Sequence, residues 1–163
     1  MADTKTPPTT GMLPKGKITQ QSVRENMHLT PQQAQQLDRI VLAGKKVMFS
    51  EKSHRRMLEQ LQGPGTIDVK LGQGIAGLMG LLMQESKGSL PHNLLIPAGM
   101  ILLVVAAEFL RKMGTAVTDQ DIGAAVHAMT TAMLHAAGVD PDKVAAAGER
   151  GAGGGKAKQG ALA

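Results

Sequence analysis

The chain has no cysteine, no tryptophan and no tyrosine, and only two phenylalanines among 163 residues. Without cysteine there is no disulfide scaffold, no thiolate-ligated zinc or iron–sulfur centre and no thiol nucleophile. Two phenylalanines are too few for a stacking platform of the kind that reads single-stranded nucleic acid. The opening residues Met1-Ala-Asp-Thr-Lys-Thr-Pro-Pro lack the apolar run of a secretory signal, and position 2 is Ala rather than an acylatable Gly. Synthesis in a cytoplasm without a signal peptide is the expectation. No G-x-S-x-G elbow and no P-loop occurs, and no catalytic residue stands out.

Glycine (20) and methionine (11) are abundant instead, and hydrophobic residues make up 42%. A core assembled from these residues relies on Leu, Ile, Met and Ala, which favours close helix contact over a broad ligand cavity. The net charge is +5, and its surplus lies early. Residues 30–62 carry six basic and three acidic side chains, including Lys45-Lys46 and Arg55-Arg56, whereas residues 118–138 carry two acids and no Lys or Arg. The basic set Lys45, Lys46, Arg55 and Arg56 is the candidate surface for DNA, an anionic membrane or an acidic partner. The plainer reading is a solvated helix face.

The pattern predicts an all-α fold, a small bundle of four to five helices with extended or disordered arms. Residues 1–29, with Pro7, Pro8, Gly11, Pro14 and Gly16, read as a flexible polar arm. The helical core is expected over 30–147, followed by a Gly/Ala/Lys-rich tail over 148–163. Thr30-Pro31 opens a helix, since Thr caps and Pro suits the first position. Leu37, Ile40, Val41, Gly44, Val47 and Met48 then follow at helical spacing, resuming at Met57, Leu58 and Leu61. Either one helix spans 31–62 or two meet near Phe49-Ser50, with Ser50 as the second cap. Gly63-Pro64-Gly65 ends this region.

Two apolar stretches come next. Ile75 to Met83 is nine residues without a polar side chain, and Gly72, Ala76 and Gly80 form a small-residue face for helix packing or oligomerisation. Leu94 to Ala107 is fourteen uncharged residues, with Pro97 expected in a first helical turn. Its side chains Leu94, Leu95, Ile101, Leu102, Leu103, Val104 and Val105 are the candidate apolar or membrane contact. At helical rise this run spans roughly 21 Å against about 30 Å of bilayer hydrocarbon. It reads as a buried core helix, with insertion of a 71–107 hairpin as the competing reading. Thr118 with Asp121 marks another helix start, and Ile122, Val126, Met129 and Met133 share its face. A short helix is expected from Asp140 to Ala147.

Three patterns have a chemical reading beside a plain one. Gly72-Gln-Gly-Ile-Ala-Gly77 fits the dinucleotide fingerprint, with Ile67 to Leu71 as a candidate strand, but the acid that should follow is missing. Helix packing is the preferred account, and no cofactor is expected. His127 and His135 lie on one helix face with Thr131 between them, without the neighbouring carboxylate that a metal site needs, so no metal is expected. Glu108 closes the apolar run and is expected to pair with Arg111 or Lys112 one turn later.

The basic helix with Val41-Leu-Ala-Gly-Lys-Lys-Val-Met-Phe49, the Gly-rich helix with Gly77-Leu-Met-Gly-Leu-Leu-Met-Gln84, and Ile96-Pro-Ala-Gly-Met-Ile-Leu-Leu103 together resemble the layout of small virion proteins of tailed bacteriophages. The resemblance covers about residues 35–140 and includes internal proteins expelled ahead of the genome. It implies a non-enzymatic, multicopy structural component, assembling with itself and other virion proteins into a tail-associated or envelope-crossing conduit. It implies no small-molecule substrate, and residence in the virion with contact to the host envelope on infection. The alternative is a soluble bacterial adaptor or nucleic-acid-associated protein acting through its basic N-terminal third. A small enzyme using Glu108 or His127 is a third and weaker reading.

Overall fold

A computed structural model describes residues 17–138. These residues form six α-helices and one short 3₁₀ turn, and among them there is no strand. The all-α expectation holds, with more helices than the four to five expected. The expected helix from Asp140 to Ala147, the tail 148–163 and the first sixteen residues lie outside the described residues.

The additional helix is α1, Gln20–Met27, inside the segment expected to be a polar arm. Thr19 and Ser22 close its first turn reciprocally: the Ser22 N–H donates to Thr19 Oγ1 at 3.1 Å, and the Thr19 N–H to Ser22 Oγ at 2.8 Å. Val23 is fully buried, so the segment belongs to the core rather than to an arm. Helix α2, Pro31–Met48, begins as expected, with Thr30 and Gln33 forming a capping box. It buries Leu37, Ile40, Val41, Gly44 and Met48. Arg24 and Asp38 join α1 to α2 in an ion pair of 2.5 Å at the surface.

The two-helix alternative holds for 31–62. Helix α3, Glu51–Gln62, starts after a break at Phe49–Ser50. Ser50 occupies the cap position, but its hydroxyl donates back to the Val47 carbonyl at 2.7 Å and makes no cap bond. Helix α4, Ile67–Glu85, includes both the candidate strand 67–71 and the whole fingerprint 72–77. No strand-to-helix turn precedes Gly72, so the geometry on which pyrophosphate binding depends is missing.

A 3₁₀ turn, His92–Leu94, leads into α5, Leu95–Lys112. Pro97 lies in the first turn, where its missing N–H costs nothing. Every residue from Pro97 to Ala107 is buried, because α5 is the central helix and packs against α1, α2, α4 and α6. Each fully buried Leu, Ile or Val contributes about 1.5–3 kcal/mol, so this helix dominates folding. Helix α6, Asp119–Ala136, opens with the expected Thr118–Asp121 box. Ile122, Val126 and Met129 are buried and Met133 is half-buried. Its most extensive partner is α4.

Glu108 does not pair with Arg111 or Lys112. Its carboxylate accepts a hydrogen bond from Gln20 Nε2 at 2.9 Å, tying α1 to α5. Arg111 instead turns toward the α5–α6 loop, donating from Nε to the Val117 carbonyl at 2.6 Å and from a terminal nitrogen to Asp119 at 3.0 Å. The loop carries acceptors within reach of the guanidinium, and a planar fork satisfies two at once.

Candidate docking groove

Helix α3 is the anomaly in this packing. Met57, Leu58 and Leu61 are spaced for burial, yet the helix has no buried residue, and these three are half-exposed. Met57 and Leu61 overhang a groove of about 540 Å³ between α3 and α4. Met48, Leu71 and Ile75 form its floor. Gly74, Gly77 and Gly80 expose the α4 backbone along its wall. Among the described residues, a Cβ added at Gly77 or Gly80 would meet nothing within 4 Å, and one at Gly74 would meet only Gln60 Oε1 at 3.9 Å.

Other helix glycines are filled differently. A Cβ at Gly72 would lie 2.5 Å from the Ala125 carbonyl oxygen and 2.7 Å from the Ala128 Cβ, so only glycine lets α4 and α6 approach this closely. At Gly99 a Cβ would lie 2.7 Å from Met129 Sδ. At Gly44 it would collide with the Leu102 side chain. Of the predicted packing face, therefore, Gly72 is tightly packed, Ala76 is half-buried and Gly80 is exposed. Positions four apart advance about 40° round a helix, so eight residues carry the row about 80° away from α6 and onto the open side.

The groove has an electrostatic character. Among the described residues no Asp or Glu lines it, while Arg56 and Lys70 do. Lys70 Nζ donates to the Leu61 carbonyl at 2.9 Å, satisfying one open acceptor at the end of α3 and keeping further protons free. Arg56 is exposed and makes no ion pair among the described residues. Lys46 and Arg55 are likewise exposed and Lys45 is half-buried; none of them is ion-paired among the described residues. Of the predicted basic set, only Arg56 borders the groove.

The predicted apolar set has an internal position. Leu94, Ile101, Leu102, Leu103 and Val104 are at most 1% exposed, Val105 is 8% exposed, and Leu95 is half-buried. The segment His92–Lys112 is long and apolar enough to cross a membrane by length and composition, and most of it is covered by the bundle. Bilayer contact through these side chains would need α5 to leave its neighbours.

A second cluster closes the far end of α3. The His54 ring sits 5.3 Å from Phe109 and 6.4 Å from Phe49, and the two phenyl rings meet edge-on at 5.5 Å. Both phenylalanines of the chain thus meet where the α2–α3 break lies against α5. His54 Nδ1 is buried and has no hydrogen-bond partner among the described residues. His127 and His135 are exposed, and no group of three carboxylates and imidazoles converges among the described residues.

The groove was not legible in advance, but part of its signal was. Gly74, Gly77 and Gly80 in one helix are costly, at about 1 kcal/mol each relative to Ala, and three such residues on one face suggest a close approach. No protein-family model matches the chain, and neither a curated protein nor a solved structure does.

Proposed function

We propose that this chain is a non-enzymatic structural component of a phage virion, present in many copies and assembled through helix packing. The observation that supports the reading is the contrast in the bundle. The most apolar helix, α5, is enclosed, while among the described residues α4 leaves its glycine face uncovered beside the half-exposed side chains of α3. Exposed Leu42, Phe49 and Met113 add apolar area away from the core.

The test is mass by light scattering after size exclusion, repeated with anionic liposomes. A discrete multimer is the expected result. Co-flotation of that multimer would extend the reading to an envelope-crossing conduit formed by release of α5. A monomer that ignores liposomes overturns the structural-component reading.

A second reading, nucleic-acid association, draws support from Lys45, Lys46, Arg55 and Arg56, four cations without ion pairs among the described residues. It predicts DNA binding that falls steeply with salt. Changing all four to Ala should then abolish binding with helical content unchanged.

A further inference from the structure

We infer that the α3–α4 groove is a docking site for an α-helix of another protein, apolar along one edge and carrying carboxylates beside it. This rests on the reading that the chain works by assembly, and it names the partner of that assembly at one surface.

Three properties of the groove select this occupant. First, its volume of about 540 Å³ is floored by apolar side chains, two of the lining residues being Met48 and Met57. Methionine adapts to an incoming side chain without a fixed shape. Second, its wall is bare helix backbone at Gly74, Gly77 and Gly80. Residues three and four apart line one ridge of a helix, so the bare row accepts the ridge of a second helix. A strand has nothing to pair with here, since no sheet edge exists among the described residues. Third, among the described residues the lining contains two cations and no carboxylate. An entering helix with Glu or Asp beside its apolar edge meets Arg56 and the remaining protons of Lys70.

The same charges argue against two copies meeting groove to groove. Two copies meeting groove to groove would place Arg56 and Lys70 against the same two cations, on molecules that each carry +5. Groove-to-groove pairing of copies is therefore disfavoured, and the groove suits a neighbour of opposite charge.

The probe is a fluorescein-labelled designed helix with a leucine stripe flanked by glutamates. A control has the same stripe flanked by lysines. Both are titrated against the full chain and against Gly77→Leu and Arg56→Glu. Gly77→Leu projects its side chain into open groove and raises helix propensity, so a thermal melt at or above the wild-type value certifies the fold. The glutamate-flanked helix is expected to bind at least about tenfold more tightly than the lysine-flanked one. Gly77→Leu is expected to lose about tenfold or more of that affinity, and Arg56→Glu to narrow or invert the preference. In a spectrum of methyl-labelled methionines, Met48 and Met57 should shift on binding while Met113, away from the groove, stays in place.

Equal binding of the two helices, or binding unaffected by Gly77→Leu, overturns the proposal. So does a homomultimer that Gly77→Leu dissolves, because the occupant is then a second copy. A multimer that survives Gly77→Leu while the glutamate-flanked helix fails to bind sinks the groove proposal and leaves the structural-component reading standing. Helix binding by a strict monomer does the reverse.

Discussion

Helix α4 carries glycine on two sides for two different reasons. At Gly72 the missing Cβ is occupied by the backbone of α6. At Gly77 and Gly80 the missing Cβ leaves open space. The first absence is compensated inside the chain, since it lets α4 and α6 pack with main chain against main chain. The second is a net cost to the isolated fold. Helix propensity treats the three alike, and only their surroundings tell a structural glycine from one kept for contact with something else.

The comparison breaks most sharply on the packed side. Met129 is fully buried and lies against Gly99, where α6 meets α5. Met129→Ala should lower unfolding free energy by about 3 kcal/mol through lost burial and a residual cavity, read by urea denaturation. Gly72→Ala should cost about 1–2 kcal/mol in the same assay, overpacking against the Ala125 carbonyl outweighing the gain in helix propensity. Gly77→Ala should go the other way and stabilise by about 0.5–1 kcal/mol. A loss at Gly77 would show that the open face is packed in solution and would erase the contrast.

The smallest effect concerns the start of α4. The Thr66 hydroxyl beside Asp68 favours its charged form and lowers its pKa below the ordinary 3.8. A folded-state pKa below the unfolded one adds stability above the ordinary value, and that increment is lost as pH falls through the folded value. Asp68→Asn should therefore flatten, slightly, the acid limb of stability against pH, measured by thermal melts across the carboxylate range.

Much of the bundle was legible because its helix starts are written in short polar motifs. Thr30-Pro31 and Thr118 to Asp121 cap as read, and Ile122, Val126 and Met129 point inward as their spacing requires. Helix α1 was missed because one buried residue, Val23, gives no periodicity; Thr19 and Ser22 three apart were the available sign. The partner of Glu108 was missed because Gln20 lies 88 positions away, and local spacing cannot compete with a tertiary neighbour. The spacing of four puts Gly72, Ala76 and Gly80 on one face, and helical drift divides that face between a packed and an open side. The groove itself depends on how α3 sits over α4, which no single segment encodes.

The meeting of Phe49 and Phe109 makes the molecule spectroscopically economical. With no tryptophan or tyrosine in the chain, its phenylalanine circular dichroism in the near ultraviolet comes from one location, where the α2–α3 break meets the end of α5. Fluorinated phenylalanine would give two resonances, both reporting whether α3 is seated. An indole placed at Leu78, on the groove wall, would be the sole tryptophan emitter of the chain, and its wavelength would register entry of a guest without background.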